Sequence, residues 1–502
     1  MKKRLLSVLL VLLLCAGAIL SGKYLPLYTE PTESDSATDT LSYDKESVYL
    51  WYTDEVMTSY ISSAAVAYNE AHGTRIIPVL RSGLDYLESV NRETIDHNIP
   101  DLYVISNDAL GRAYLAGLAD QVGTEDDFGN LYLNTAINAV SYKDKPVAYP
   151  LCFETTALIY NKDYLRDMAV TSLMREEIAE EGNEDAGEEP PDEDGFLDES
   201  KYEEADISAR ALEIIPVTMA GITSLADGYT APEGVEAFLK WDVTDIFYNY
   251  FFLGDAIKVG GEQGWDKGIL DIYNENAIRA LEEYQKLNNY FSIDTSDIDY
   301  DGIIREFVEG KIVFTIATTD VVATLEQAKA DGEFPYEYGV ALIPDMNGEL
   351  ETRSLSTVNC VAVNPFSAHG EVARDFARFM TSEYAGELYG KTGKLSAAKD
   401  MTYENEALNK FAEEFEFSIP MPKMMETSNL WVQLEAAFAQ IWDGEDANET
   451  LKVLAEQMIY QTRGEKVTLD PILLEEETQE MEYLDEEALI NEARSQEDEE
   501  GE

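Results

Sequence analysis

Polar side chains follow three apolar, strand-like runs in the first part of the sequence. They are Tyr52-Thr53-Asp54, Arg81-Ser82 and Ser106-Asn107-Asp108. Carboxylates accept hydrogen bonds from hydroxyl and ammonium groups, and a tyrosine offers a flat apolar face with a polar tip. Ligands of α/β sheets bind beyond the carboxyl ends of the strands. These side chains are therefore candidates for binding a polar small molecule.

A further carboxylate stands inside an apolar run. The segment FETTALIYNKDYL, residues 153–165, begins with Phe153 and Glu154, continues through apolar residues and stops at Asn161 and Lys162. A buried strand explains the apolar run but not the acid. Glu154 is therefore a candidate ligand contact, with a surface acid on an edge strand as the alternative.

The sequence gives little support for catalysis. Its three histidines (His72, His97 and His369) are scattered, and the sequence contains no HExxH, CxxC or P-loop motif. A glycoside hydrolase needs only two carboxylates at a suitable separation, but 99 acidic residues leave no way to choose the pair. We expect a binding protein with no catalytic residue, cofactor or metal, and a glycoside hydrolase is the least favoured alternative.

Strand and helix patterns alternate along the chain and would position these residues. Strand-like runs at 75–81, 101–106 and 145–154 are separated by helical patterns, including one that Gly73 closes. This alternation predicts an α/β fold with parallel strand pairing. Further along, 232–256 is predicted to be mainly helical.

The charge of the chain excludes one class of partner. A net charge of -63, from 36 Lys and Arg against 99 Asp and Glu, would repel nucleic acid. Much of the excess lies in an insert at 171–206, where sixteen acids accompany two basic residues, and in a tail at 466–502. Such runs are typical of solvated, disordered segments.

The N-terminus has the pattern of an export leader. Three basic residues precede the apolar run LLSVLLVLLLCAGAIL, residues 5–20. Residues 1–22 are thus a signal peptide or a lipoprotein or membrane anchor. Cys15 is a candidate for lipidation, although Leu14 stands where a small residue is usual. Cleavage after Ala18 and an uncleaved span are alternatives, and 23–45 reads as a disordered tether.

Several segments resemble, in order, the extracellular solute-binding proteins of ABC importers, in the maltose- and carbohydrate-binding branch known as family 1. The resemblance covers roughly residues 46–462 and omits the acidic insert and tail. It rests on the opening strand VYLWYTDE and on the segments IPDLYVISNDALGRAYLAGLADQV, KPVAYPLCFETTALIYNKDYL, IIREFVEGKIVFTIATTDVV and IPMPKMMETSNLWVQLEAAFAQIWDG.

The resemblance implies a periplasmic-binding-protein-like fold, with two α/β lobes, a hinge of crossing strands and a ligand cleft between the lobes. The N-terminal lobe would comprise 46–153 with about 357–400. The C-terminal lobe would comprise 154–356, including the insert, with about 401–465. The implied function is the receptor component of an ABC importer that captures a solute, most simply a mono- or oligosaccharide, by lobe closure. The implied partners are permease subunits, and the protein is expected to be a monomer.

The resemblance also implies site residues. Asp108, Glu154 and Trp431 match ligand-contacting positions of the family, and a tryptophan face stacks well on a pyranose. A helix N-cap is the alternative for Asp108, and core packing is the alternative for Trp431. Tyr52 and Asp54 are further candidates.

The sequence departs from the family at Asp320, where an aromatic residue is usual. This departure implies a lost aromatic platform. Trp241 and Tyr248, in the aromatic-rich segment KWDVTDIFYNYFF, are candidates to replace it, with core packing as the alternative.

Two other functions are compatible with this fold. Four carboxylates, Asp54, Asp108, Glu154 and Asp320, could line an acidic cleft for a cationic or other non-sugar solute. A surface protein that has the fold but no importer is the second alternative.

Overall fold

A computed structural model describes residues 47–96, 99–180, 201–291, 293–295 and 298–474. The chain forms two units, Met1–Ser47 and Val48–Glu502, and only the second is considered below. The predicted leader with Cys15, the tether, the middle of the acidic insert (181–200) and the tail beyond 474 lie outside the described residues. Within the described ranges, no helix is both long enough and apolar enough to cross a membrane.

The strands of the described part are, in chain order, β1 (Val48–Tyr52), β2 (Ile76–Leu80), β3 (Leu102–Ser106), β4 (Tyr149–Asn161), β5 (Ala237–Leu239), β6 (Lys258–Val259), β7 (Leu270–Asp271), β8 (Ile312–Thr318), β9 (Tyr338–Ala341), β10 (Leu355–Val363), β11 (Leu395–Ser396) and β12 (Ile419–Pro420).

The α-helices of the same part are α1 (Thr58–His72), α2 (Tyr86–Ile95), α3 (Asn107–Leu115), α4 (Glu125–Gly129), α5 (Asn134–Val140), α6 (Lys162–Glu180), α7 (Glu204–Glu213), α8 (Met219–Gly228), α9 (Ile246–Asn249), α10 (Phe251–Gly254), α11 (Glu275–Phe291), α12 (Tyr300–Val308), α13 (Val321–Asp331), α14 (Gly370–Arg378), α15 (Leu388–Thr392), α16 (Glu406–Phe417), α17 (Leu430–Trp442) and α18 (Ala447–Arg463).

Most of the strands form one mixed sheet, in the order β2-β1-β3-β10-β4-β8-β5. Strand β1 pairs in parallel with β2 and with β3, as the alternation of strands and helices predicts. The pairings of β10 with β3 and of β4 with β10 and β8 are antiparallel. The prediction of parallel pairing is therefore confirmed for the first strands and for β5 with β8, whereas β4 pairs antiparallel with β10 and β8, which lie far from it along the chain.

Strand β4 joins the two halves of this sheet. Its first part pairs with β10, up to the pairing of Ser356 with Thr155. From Thr156 onward it pairs with β8 on one side and, from Leu158, with β9 on the other. Glu154 therefore lies where the strand passes from one half of the sheet to the other.

Local sequence signals set the ends of the elements beside this crossing. The Asn161 side-chain oxygen accepts hydrogen bonds from the amides of Asp163 at 3.0 Å and Tyr164 at 3.3 Å. It therefore satisfies amides that the first turn of a helix leaves free, and α6 begins at Lys162. The predicted strand end at Asn161 is confirmed. So is the helix end at Gly73, whose positive φ of 72° closes α1.

The segment 232–256 is not mainly helical, which corrects the prediction. It contains strand β5, which pairs in parallel with β8, and only then the short helices α9 and α10. The outer edge of β8 offers backbone hydrogen-bond partners to the run AFL, and this long-range pairing overrides the local helical pattern.

The ends of the acidic run 171–206 are helical, which corrects the prediction of disorder for them. Helix α6 extends to Glu180, and α7 begins at Glu204. Ala169, Val170 and Ile207 form a small buried cluster between the two helices. Arg166 also pairs with Glu204 at 2.7 Å. Buried apolar surface and neutralised charge together explain why these acidic flanks fold.

Candidate ligand-binding site

The carboxylate of Glu154 is held at the crossing by the neighbouring strand. Strand β8 runs beside β4, and the amide of Thr319, the residue after β8, donates a hydrogen bond to Glu154 Oε1 at 2.7 Å. The Glu154 side chain keeps part of its surface exposed. It is thus fixed by one half of the sheet while it remains open to a ligand.

The charge of Glu154 responds to this setting. The pKa of Glu154 is raised to about 7: burial is the main cause and the neighbouring Asp320 adds to it, while the hydrogen bonds from Thr319 and the charge of Lys394 oppose the shift. A carboxyl group with a pKa near neutrality can both accept and donate hydrogen bonds around pH 7. Glu154 is therefore a versatile partner for a polar ligand.

Lys394 connects Glu154 to the loop that follows β1. Its Nζ lies 3.2 Å from Asp54 Oδ2. The residue immediately precedes β11, and the pairing of β11 with β4 brings it towards Glu154. Burial disfavours the charge of Lys394, but Cys152, Asp54 and Glu154 outweigh that effect and raise the pKa of its ammonium group. The predicted carboxylates Asp54 and Glu154 thus both interact with Lys394.

A stacked tyrosine pair lies beside Asp320. The Tyr300 hydroxyl donates to Asp320 Oδ1 at 3.1 Å and accepts from Thr318 Oγ1 at 3.0 Å. The rings of Tyr300 and Tyr248 stack with their centroids 4.9 Å apart and their planes at 20°. Tyr248 is buried in the core, as its alternative of core packing states, so Tyr300 is the ring of this pair that keeps exposed surface next to Asp320.

Tyr52 and Asp54 line a cavity of about 430 Å³ at the carboxyl ends of β1 and β3. Ser106 and Arg112 contribute to the same cavity. The Tyr52 hydroxyl donates to Thr58 Oγ1 at 3.1 Å, which fixes the ring. A concave, polar-lined cavity at this edge of the sheet is the kind of place in which small ligands bind.

Trp241 lies elsewhere. It has no exposed surface and belongs to the core that contains Phe252 and Trp442. Its indole nitrogen donates to Asn249 Oδ1 at 2.9 Å. Because the ring is enclosed and its polar atom is already hydrogen-bonded, Trp241 offers no surface to a ligand in this structure, and core packing accounts for it.

Asp108 and Trp431 both keep exposed surface. Asp108 is the second residue of α3, whose N-cap is Ser106, which corrects the alternative of an Asp108 N-cap. Trp431 is the second residue of α17 and packs edge-to-face on Tyr250, with ring centroids 5.9 Å apart. Both side chains therefore remain available for ligand contacts.

The arrangement suits binding through hydrogen bonds and ring stacking. Asp54 and Glu154 lie near Lys394, and Asp320 lies beside Tyr300, so that carboxylates and an aromatic ring are available for the hydroxyl groups and apolar ring faces of a sugar. Among the described residues, no group of three or more His, Cys, Asp or Glu side chains is placed to hold a metal ion.

Comparison with known families identifies the chain. Residues 63–410, or 348 of the 502 residues, match the family described as bacterial extracellular solute-binding protein. The chain belongs to this family of solute-binding proteins. The family is one of binding proteins, and its extracellular location agrees with the export leader predicted at 1–22.

Named relatives are similar to this solute-binding protein over most of their length. The galactooligosaccharide-binding protein of Bacillus subtilis (strain 168) is 24% identical over 89% of this chain and 95% of its own. A maltooligosaccharide ABC transporter solute-binding lipoprotein of Streptococcus pneumoniae (strain ATCC BAA-255 / R6) is 23% identical over 76% of this chain and 80% of its own.

A solved structure supports the fold class. The extracellular solute-binding protein of Staphylococcus aureus in complex with maltose superimposes with a TM-score of 0.65. It is 19% identical and covers 83% of this chain and 97% of its own. The predicted periplasmic-binding-protein-like fold, with two α/β lobes, a hinge and a cleft, is thus confirmed.

Sequence reasoning missed three residues of the solute-binding protein's candidate site: Thr319, Lys394 and Tyr300. Thr319 contributes its backbone amide, which has no side-chain signature. Tyr300 follows Asp299, the N-cap of α12, so its place at a helix start could have drawn notice. Lys394 lies 340 positions after its partner Asp54, and only the fold brings the two together.

Proposed function

We propose that this solute-binding protein is the receptor of an ABC importer for carbohydrates, with oligosaccharides as the preferred class. The observation that carries the proposal is the Tyr300 ring, which keeps exposed surface and stacks on the buried Tyr248 beside Asp320 and Glu154. An aromatic face packs against the apolar face of a pyranose while carboxylates accept hydrogen bonds from its hydroxyl groups. The sugar-binding names of the relatives support the same class.

Closure of two lobes around the sugar would produce the transport signal. We assign 46–153 with about 357–400 to one lobe, and 154–356 with about 401–465 to the other. Asp54 would then contact the sugar from one lobe, and Asp320 and Tyr300 from the other. A ligand that touches both lobes only when they are closed shifts the population towards the closed state by its difference in affinity.

The remaining parts of the proposal concern its surroundings. The protein would act as a monomer on the outer face of the cytoplasmic membrane and deliver the sugar to permease subunits without any catalytic step. Attachment would come from a lipid on Cys15 or from an uncleaved N-terminal helix. We further propose Asp108 and Trp431 as contacts that extend the site along α3 and α17.

A cationic solute is the second candidate. The observation that favours it is the number of carboxylates, since Asp54 and Glu154 lie near Lys394 and Asp320 lies beside Glu154. Such a lining would attract an amine by simple charge attraction. A sugar receptor and an amine receptor differ in how their affinity depends on salt.

A thermal-shift and calorimetry panel tests the proposal. The purified chain is mixed with maltotetraose, a galactooligosaccharide, glucose, glucuronate and spermidine. We expect the melting temperature to rise with at least one neutral oligosaccharide at millimolar concentration, with little dependence on salt. A rise with spermidine alone, lost at high salt, would replace the sugar by a cation. No rise with any sugar would reject the carbohydrate class.

A further inference from the structure

Strand β9 forms an edge of the sheet away from the candidate site. Beyond the crossing, the strand order is β5-β8-β4-β9, and within the described residues β9 pairs only with β4. Residues 338–342, which include β9, line a groove of about 1060 Å³. An edge strand next to an open groove can accept a further strand through backbone hydrogen bonds.

The chain just beyond β9 already has a short strand partner. Thr218 forms a parallel bridge with Asp345. The amide of Met219 donates to the Asp345 carbonyl at 2.7 Å, and the amide of Asp345 donates to the Val217 carbonyl at 3.0 Å. Strand pairing by backbone hydrogen bonds therefore already occurs a few residues beyond the part of β9 that lines the groove.

Apolar side chains are available at the rim of the groove. Leu212 is 69% exposed and Val217 is 77% exposed, and both line it. Most large apolar side chains on helices and loops bury a larger part of their surface, so this exposure has a cost unless a partner covers it. Alternate side chains of an added strand would point towards these two residues.

The charge of the groove selects the kind of partner. Six glutamates line it: Glu213, Glu326, Glu337, Glu404, Glu406 and Glu413. The three lysines that line it are Lys162, Lys329 and Lys410, and two of them form ion pairs within the groove, Lys329 with Glu337 and Lys410 with Glu413. An excess of carboxylates remains, and it favours an occupant with positive charge.

This charge argues against two other occupants. The stretch 181–200 of the protein's own acidic insert contains ten acids and no lysine or arginine. A second copy of the chain carries a net charge of -63. Both would be repelled by the glutamates of the groove.

We propose that this groove binds an extended, positively charged segment of a partner protein, which adds to β9 as a further strand. Residues of the candidate sugar site, including Glu154, Asp320 and Tyr300, do not line the groove. The inference therefore stands independently of the proposed sugar specificity, and its partner would meet a surface separate from the cleft.

The probe is a fluorescein-labelled peptide that alternates lysine with valine, titrated with the full chain in fluorescence anisotropy. We expect saturable binding that weakens as salt increases. Glu404→Lys/Glu406→Lys should weaken it about tenfold or more, because both side chains are exposed at the rim. The same peptide with every second amide N-methylated should also bind at least tenfold more weakly, since it cannot donate the backbone hydrogen bonds.

Matched controls decide the outcome. Glu70→Lys/Glu445→Lys makes the same change of charge at exposed positions outside the groove, and it should leave the affinity within about twofold. Equal loss in this control, or equal binding of the N-methylated peptide, would reduce the effect to general charge attraction and overturn the proposal. So would an absence of binding at low salt, or a tighter peptide affinity after deletion of 181–200, which would identify the insert as the occupant. Self-association that Glu404→Lys/Glu406→Lys abolishes would assign the groove to a second copy.

Discussion

Two carboxyl groups with similar chemistry lie on opposite sides of strand β4 at the crossing. One is Glu154 of β4 itself, and the other is Glu414 of α16. Successive side chains of a strand point to opposite faces, so Glu154 faces one side and Phe153 and Thr155 face the other. On that other side, Phe153 stacks on Phe415 of α16 at 3.9 Å. The neighbouring Glu414 of α16 is buried there.

Glu414 is satisfied by the protein itself. Its Oε1 accepts from the Ser354 hydroxyl at 2.6 Å, and its Oε2 accepts from the amide of Ile343 at 3.0 Å. Ser354 Oγ in turn lies 3.1 Å from Thr155 Oγ1. Burial raises the pKa of Glu414 to about 7, as it does for Glu154.

A raised pKa, which Glu154 and Glu414 share, therefore does not by itself identify a ligand contact. Both shifts come first from burial, but Glu414 is enclosed with both oxygens hydrogen-bonded, whereas Glu154 keeps exposed surface beside Asp320 and Lys394. The first is a structural group behind the crossing strands. The second is a candidate binding group in front of them.

Glu414→Ala is expected to have the largest effect, and on stability. It leaves the Ser354 hydroxyl and the Ile343 amide buried without their acceptor, at a cost of roughly 1–3 kcal/mol for each donor. The free energy of unfolding, measured in urea, should fall by that amount. Glu413→Ala, at the exposed neighbouring position of α16, is the control. A loss of stability no larger than in the control would contradict the structural role assigned to Glu414.

Glu154→Ala is expected to act on affinity. Loss of a hydrogen bond to a charged group costs about 1.5–3 kcal/mol, so the dissociation constant of the bound sugar should rise about 10- to 100-fold by calorimetry. Stability in urea should change much less than in Glu414→Ala. Asp331→Ala, at the exposed C-terminal end of α13, serves as the control. Unchanged sugar affinity would remove Glu154 from the site.

Trp431→Ala tests whether the candidate site extends from Glu154 to α17. If its exposed ring stacks on the ligand, affinity should fall by about 1–3 kcal/mol while the chain remains folded. Val432→Ala, at the next and more exposed position, should bind as the unaltered chain does. An affinity that Trp431→Ala leaves intact would confine the site to the region of Glu154, Asp320 and Tyr300.

The last prediction concerns the dependence of stability on pH. A folded-state pKa of about 7, above the ordinary value of 4.5, means that the folded protein binds more protons between these two values. The stabilisation from Glu414 is therefore complete below pH 4.5 and is lost as the pH rises through 7. Glu414→Gln should remove this loss, which is roughly 3 kcal/mol over that interval, at about 1.4 kcal/mol for each pH unit. Urea unfolding at several pH values measures it, and an unchanged pH profile would contradict the shifted pKa.

Much of the fold could be predicted because its signals are local. Gly73 ends α1 and Asn161 ends β4 through backbone conformations and caps that involve only neighbouring residues. Strand β5 and the antiparallel partners of β4 could not be predicted in this way. Their hydrogen bonds join residues far apart in sequence, and no local pattern encodes the partner.

The residues of the candidate site also fall into those that the sequence predicts and those that only the fold reveals. Asp54 follows a predicted strand, and Glu154 interrupts one, so residue type and position were enough to nominate both. Trp241 was nominated on aromatic density, but density does not distinguish a core ring from a ligand platform. Sequence reasoning missed Tyr300 because its ring becomes a candidate contact only through its neighbours in the folded chain, Tyr248 and Asp320.

The sequence by itself determined the class of this protein: an acidic, exported α/β solute-binding protein with carboxylates at the ends of its strands. The acidity, the leader and the α/β pattern follow from composition and apolar periodicity. The solute-binding class follows from the resemblance of several ordered segments to a known family. Only the tertiary structure decided which carboxylates meet. Lys394 reaches Asp54 because β11 pairs with β4, and Glu154 and Glu414 face different environments because the crossing strand has two sides. The roles of these charged groups depend on burial and distance, and both are properties of the folded chain.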